Sequence, residues 1–389
     1  MGKLRLSTSE VLTRQVEQIL PDRKGLEAVM HKRKIRLYLG VDPTSPNLHL
    51  GHAVVLRKLR QFQELGHEVI LLFGTFTGLI GDPSGRDKAR EPLSPQEIIK
   101  NMAAYSKQAG EILDLSRTKI RKNGDWLSTL KPEEFLKISS QFTVPQLLER
   151  DMFQARIQKG GEVWANELLY PLLQGYDSVA MDVDLEVGGT DQLFNMLIGR
   201  RLQKVYRSKE KFVLTVPLLL GLDGRKMSKS FGNTVNILDR PQEMYGKLMS
   251  IGDELTGHYF ELCTDVSAQE FRELSPRDAK ARLAREIVTL FHSAPEAEKA
   301  EAEFTRVFRE KGLPSSIPIV LEAQDLTPTT QLVVRAGLAA SNSEARRLLM
   351  QKGITYDGKP AGEYIQFPKG EKEVVLRVGK RKFARIRKK

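Results

Sequence analysis

Cysteine is almost missing from this chain: Cys263 is the only one in 389 residues. No internal disulfide can form, so the reducing cytosol is the expected compartment. Cys263 falls in a helical-looking stretch, 259–263, where a packed thiol is expected rather than a nucleophile. Long apolar runs are also missing, and the first residues lack a charged-then-apolar pattern; both argue against membrane spanning and secretion. There is no internal repeat or low-complexity segment. Metal-ligand clusters are lacking too. His49 and His52 have no neighbouring cysteine or acidic pair to complete a site, so no protein-bound metal is expected.

What remains is an ordinary globular composition, 40% hydrophobic and 28% charged, over a length that suits two or three domains. The formal charge of +12 is unevenly spread. Positions 331–389 hold 15 of the 61 Lys and Arg and 5 of the 49 Asp and Glu, a net of +10. Positions 1–330 keep the other 46 and 44, a net of +2. A near-neutral body with a basic C-terminal appendage predicts a polyanion partner; a solvated tail that aids solubility is the alternative.

Strand candidates at 35–41, 68–73, 120–123, 183–187 and 212–216 alternate with helical segments such as 50–65, which stops at Gly66. This alternation predicts an α/β fold with a Rossmann-type parallel sheet, whose ligands bind beyond the carboxyl ends of the strands. Positions 1–32 read as a helical lead-in, 241–309 as helical and strand-poor, and 313–318 as a linker. A small unit follows. Ser341-Asn342-Ser343-Glu344 predicts a capped helix stopped by Gly353, and Asp357-Gly358 predicts a tight turn.

Two short segments carry the chemistry. His49-Leu50-Gly51-His52 follows a strand and opens a helix; Lys226-Met227-Ser228-Lys229-Ser230 lies in a glycine-flanked loop. Each offers what a nucleoside triphosphate needs: donors beside a side-chain-free glycine, and paired cations. Between them lie a glycine-rich loop continuing as Asp82-Pro83-Ser84-Gly85-Arg86-Asp87-Lys88-Ala89-Arg90, and the stretch Gly188-Gly189-Thr190-Asp191-Gln192. Tyr170, Gln174 and Asp177 fall at i, i+4 and i+7 of a helix that is otherwise rich in leucine. Such a polar stripe lines a ligand cavity or forms a structural buried network.

In this order and on this background, the two segments resemble the ATP motifs of class I aminoacyl-tRNA synthetases, and the intervening residues resemble those of tyrosyl-tRNA synthetases. The resemblance covers nearly the whole chain and is densest at 35–90 and 165–233. It implies a catalytic Rossmann-like domain over 1–235 with a connecting insertion near 128–165. A helical anticodon-proximal domain over 236–325 and a small α+β RNA-binding domain of the S-four type over 326–389 would follow. It also implies L-tyrosine, ATP with Mg2+ and tRNA(Tyr) as substrates, and a homodimer with 142–157 as candidate interface.

By the same resemblance His49, His52, Lys226, Lys229, Ser230, Arg86 and Arg90 serve the phosphates and the transition state, with Lys88 a weaker candidate. Asp42, Thr44, Gly51, Gly189 and Asp191, with Lys229, would hold ATP. Tyr38 and Asp177 would read the phenolic hydroxyl; Tyr170, Gln174 and Asp82 would hold the ammonium; and Gln192 would lie near the carboxylate. Arg346, Arg347, Lys380, Arg381 and Lys382 would contact RNA. The chain departs from many relatives at Leu193, where tryptophan is frequent, and at Leu39 and Val55, where some relatives carry polar groups. Two alternatives are a tryptophanyl-tRNA synthetase, opposed by Gln174, Tyr38 and the basic tail, and a non-catalytic RNA-binding protein on a synthetase scaffold, opposed by the intact motif set.

Overall fold

The computed structural model describes residues 6–84, 93–308, 310, 313, 317–322, 326–366, 373–379 and 382–388. The chain divides into two compact units, Met1–Glu301 and Ala302–Lys389.

The first unit is built on six strands: β1 (Gln18–Leu20), β2 (Arg36–Val41), β3 (Glu68–Phe73), β4 (Thr118–Lys122), β5 (Leu185–Gly189) and β6 (Phe212–Val216). They lie in the order β1-β6-β5-β2-β3-β4. All neighbours are parallel except β1, which runs antiparallel along β6. Near-continuous apolar runs such as Val69–Phe73, buried on both faces, are what a helix-covered parallel sheet requires. The order reverses between β5 and β2, so a crevice opens beyond their carboxyl ends.

Three helices frame that crevice: α1 (Leu50–Glu64), α2 (Ala165–Met181) and α3 (Leu193–Arg207). Along α1, Leu50, Ala53, Val54, Leu56, Leu59 and Phe62 are buried at helical spacing. Gly66, at φ +86°, ends the connection in a conformation that favours glycine. Helices α2 and α3 meet through paired glycines: a Cβ on Gly175 would lie 3.0 Å from the Gly199 amide nitrogen. The shorter helices Pro132–Ser139, Val144–Leu148 and Asp151–Gln158 lie between β4 and α2, and α4 (Thr256–Cys263) belongs to the helical stretch after β6.

The sequence places most of these elements within two or three residues. One expectation is corrected: the lead-in over 1–32 is not all helical. The helices Thr8–Val11 and Arg23–Lys32 flank β1, which takes the open edge of β6. Three residues are too few to show a strand period. Strand β5 runs two residues further than expected, because Gly188 and Gly189 pair with Thr215 and Val216.

The second unit has a five-stranded sheet, order β10-β9-β12-β13-β7, and a two-stranded one, β11-β8. Its strands are β7 (Ile319–Glu322), β8 (Leu326–Pro328), β9 (Ile354–Tyr356), β10 (Lys359–Pro360), β11 (Tyr364–Gln366), β12 (Glu373–Val378) and β13 (Lys382–Lys388). Leu332, Val333, Ala345, Ile354, Leu376 and Ile386 form its core. Ser341 caps α5 (Asn342–Met350) by accepting from the Glu344 amide at 3.2 Å, while the Glu344 carboxylate reaches past it to the Ala340 amide at 2.7 Å. Asp357 and Gly358, at φ 45° and 79°, make the turn between β9 and β10. Of the expected linker, 314–316 lie outside the described residues.

Candidate active site

The first motif sits where β2 hands over to α1. His49 is the residue before the helix, and its amide donates to His52 Nδ1 at 3.2 Å; the two rings are 3.9 Å apart. Both flanks of His49 bond to the chain beyond the second motif, the Leu50 amide to Val235 O at 2.9 Å and the Ile237 amide to Leu48 O at 3.0 Å. Burial, then its neighbour His52 and the ammonium groups of Lys229 and Lys226, push the His49 imidazole down to about 2. Burial and the same two lysines push His52 down to about 4. Both rings are therefore neutral near pH 7, each able to present an N–H without adding charge. His49 Nδ1 is buried and has no hydrogen-bond partner among the described residues. A Cβ on Gly51 would press to 3.1 Å from that ring, so glycine keeps the approach open.

The second motif folds over the same end of the sheet. Lys226 Nζ donates to Asp191 Oδ2 at 2.6 Å, and Lys229 Nζ bonds to Ser45 Oγ and Asn47 O; Ser230 is exposed. Asn233 holds the loop together. Its Oδ1 accepts from the Ser228 amide at 2.8 Å, and its Nδ2 donates to Asp223 Oδ1 at 2.6 Å and Lys226 O at 3.1 Å. From α4, the Tyr259 hydroxyl donates to Leu220 O at 2.7 Å and His258 bonds Leu218 O at 3.1 Å, fixing the entering arm. Gly189 leaves room for Asp191, whose Oδ1 would lie 2.7 Å from a Cβ at 189.

Inside lies a ring of amides and carboxylates. Asp82 accepts from Ser84 N at 2.9 Å, from Ser84 Oγ at 2.6 Å and from Gln192 Nε2 at 2.7 Å. Asn195 donates to Gln192 at 3.1 Å and to Gln174 at 2.9 Å, and Gln174 donates to Glu186 at 3.2 Å. Tyr170 donates to Asp42 Oδ2 at 2.9 Å, and Thr77 to the other oxygen at 2.7 Å. Asp42 is thus drawn toward the polar stripe; Thr44 closes the turn behind it with an amide bond to Asp42 O at 2.7 Å. Asp177 is 2% exposed and accepts from Trp126 Nε1 at 2.8 Å and Asn123 Nδ2 at 3.2 Å. Burial raises its carboxyl well above the usual range, and raises the Tyr170 and Tyr38 phenols likewise. The Tyr38 hydroxyl, wholly buried, meets Ser178 Oγ at 2.9 Å rather than Asp177.

The structure therefore brings His49, His52, Lys226, Lys229, Asp191 and the polar stripe to one end of one sheet. Arg86 and Arg90, with Lys88, lie outside the described residues, as do Lys380 and Arg381. Arg346 and Arg347 are exposed on α5, and Lys382 bonds Leu338 O at 2.9 Å. Sequence reading missed Trp126, Asn123, Asn195 and Arg150, whose guanidinium donates to Ser84 Oγ at 2.5 Å between the rings of Phe153 and Phe194. Rarity marks Trp126 as one of two tryptophans, and Asn195 stands one turn after Gln192. Arg150 carries no comparable signal. Among the described residues no group of three or more His, Cys, Asp or Glu is placed to hold a metal, and no helix is long and apolar enough to cross a membrane.

The chain is similar to known proteins in sequence and in fold. The family described as tRNA synthetases class I (W and Y) matches residues 30–309. The tyrosine–tRNA ligase of Thermotoga maritima is 46% identical, covering 97% of this chain and 96% of the relative. That of Moorella thermoacetica is 45% identical, covering 97% and 94%. Among solved structures, a C-terminally truncated mitochondrial tyrosyl-tRNA synthetase of Aspergillus nidulans has the same fold, with TM-score 0.64 and 24% identity over 78% of this chain and 95% of that one. The chain belongs to the class I tRNA synthetases, in their tyrosine–tRNA ligase branch.

Proposed function

We propose that this chain joins L-tyrosine and Mg–ATP as tyrosyl-adenylate in the crevice between β2 and β5, then passes the tyrosyl group to the 3′ end of tRNA(Tyr). The observation that carries the reading is the meeting of two neutral histidines, two lysines and a linked set of amides and carboxylates at one end of the sheet. In the first step a carboxylate oxygen of tyrosine bonds to the α-phosphorus, and the bond from that phosphorus to the pyrophosphate oxygen breaks. The nucleophile is already an anion, so positioning and charge neutralisation can supply the catalysis. His49 and His52 donate toward the phosphates. Lys226, Lys229, Ser230, Arg86 and Arg90 meet the charge that gathers on the departing pyrophosphate, and Mg2+ arrives with ATP. Asp191 takes the ribose hydroxyls beside Gly189, with Asp42, Thr44 and Gly51 shaping the nucleotide's approach. In the second step the terminal adenosine hydroxyl attacks the acyl carbon and AMP leaves.

Tyrosine lies with its phenol at Tyr38 and Asp177, its ammonium among Tyr170, Gln174 and Asp82, and its carboxylate by Gln192. Phenylalanine would leave buried Asp177 and Tyr38 without their partner, which is the basis of rejection. The domain divisions at 235 and 325 belong to this reading, as does RNA contact by Arg346, Arg347, Lys380, Arg381 and Lys382. So do the cytoplasm as workplace and a homodimer closed through 142–157, where Val144 and Ile157 stand 59% and 46% exposed. Exchange of labelled pyrophosphate into ATP tests the reading: tyrosine should drive it and tryptophan should not. No exchange with any amino acid would leave only an RNA-binding protein.

A further inference from the structure

Behind the polar ring lies an ion pair that belongs to none of the motifs. Lys211 immediately precedes β6, and Glu186 is the second residue of β5; they are 0% and 2% exposed. All three Lys211 donors are used: on Glu186 Oε2, on Ser178 Oγ at 2.8 Å and on Met196 O at 3.2 Å. The other Glu186 oxygen accepts from Gln174 Nε2 at 3.2 Å. Ser178 Oγ in turn meets the Tyr38 hydroxyl at 2.9 Å, and the ammonium sits 5.8 Å from the centre of the Tyr38 ring. Tyr38 and Glu186 are direct partners across β2 and β5. A Cβ at Gly199 would come within 2.5 Å of Lys211 Nζ and 2.8 Å of Ser178 Oγ, so the ammonium's seat depends on a residue without a side chain. One buried pair is thus tied to two residues of the tyrosine cleft, Tyr38 by a hydroxyl and Gln174 by a carboxylate.

A buried ion pair is seldom a better stabiliser than apolar residues of the same size, so its worth here is sought in orientation. Lys211 can only donate, so Ser178 Oγ accepts from it. Ser178 Oγ keeps one hydrogen of its own, and when that hydrogen goes to Tyr38 Oη the Tyr38 hydrogen is left for another acceptor. Glu186 lies close enough to compete for that hydrogen. With its charge held by Lys211 and Gln174, it competes less well with a ligand oxygen. Without Lys211, an uncompensated buried carboxylate would capture the hydrogen, and the cleft would lose a donor for a phenol.

We propose that Lys211 and Glu186 are positioning residues for tyrosine selectivity. Through Ser178 they set the direction of the Tyr38 hydroxyl, and through the carboxylate they set the Gln174 amide. The inference rests on the assignment of Tyr38, Gln174 and Asp177 to the tyrosine cleft. Its test is the ratio of kcat/KM for tyrosine to that for phenylalanine in pyrophosphate exchange with the full-length chain, alongside KM for ATP. Lys211→Met should lower the ratio by about tenfold or more, chiefly by loss of tyrosine, with KM for ATP within about twofold of the parent. Adding Glu186→Gln should restore much of the ratio, since an amide does not hold the hydrogen as a bare carboxylate does. A folded Lys211→Met variant with parental selectivity overturns the proposal, and so does an equal loss for both amino acids. Should Lys211→Met fail to fold, Ser178→Ala cuts the same link without uncovering a charge, and an unchanged ratio there is equally fatal. Tyr38→Phe is the control. If it too leaves selectivity unchanged, the assignment of the cleft is wrong and the inference falls with it.

Discussion

His49 and His52 show how burial sets chemistry side chain by side chain. Their ordinary value of 6.5 is lowered to about 2 and about 4, chiefly by burial. Between pH 6.5 and those values the unfolded chain binds protons that the folded chain refuses, so stability falls as pH drops through that window. Above 6.5 neither ring contributes a slope. Exchange activity should accordingly show no histidine titration between about pH 5.5 and 8, the range where an unperturbed imidazole changes charge. A step in that range that disappears in His49→Asn would show that the rings are not held neutral. His49→Ala, which removes a donor, should slow exchange by on the order of 100-fold, while Asn keeps part of the rate. The polar stripe Tyr170, Gln174, Asp177 was legible from spacing alone. Its partners were not, because Trp126 and Asn123 reach Asp177 from the short helix Gly124–Leu127 and the residue before it, some fifty positions away, and no periodicity spans that gap.

At the scale of elements, α2 and α3 approach each other closely at Gly175 and Gly199. A methyl on Gly175 would meet Ile198 Cγ2 at 2.7 Å and the Gly199 nitrogen at 3.0 Å, and backbone cannot yield as a flexible side chain does. Gly175→Ala should cost about 1–3 kcal/mol by urea unfolding; an unchanged midpoint would mean that the helices can move apart freely. In the second-motif loop, Asn233→Ala removes the clamp on Ser228, Asp223 and Lys226. Exchange should then slow by on the order of tenfold while the melting temperature moves little, because the lost order is local to the lysines. Strands β2, β3 and β6 were legible because each is a compact apolar run stopped by a breaker, at Asp42-Pro43, Gly74 and Pro217. β1 was not: a three-residue edge strand is made by the open side of β6, and its own sequence carries no mark of that neighbour.

For the whole molecule, charge distribution is the informative quantity. Removing 331–389 takes away a net charge of +10 and leaves the crevice residues in place. Adenylate formation should persist, while tRNA affinity falls and its dependence on salt flattens. Filter binding across a salt series would expose an error if affinity and slope both survived. That prediction was available from composition. What composition cannot supply is where the catalytic part ends. The Ile237 amide holds the carbonyl just before the first motif, and α4 holds the two carbonyls leading into the second. A fragment cut at 235 would therefore be a door hung without its frame. A piece meant to make adenylate unaided should carry the chain beyond, at least through α4, whose His258 and Tyr259 hold those carbonyls.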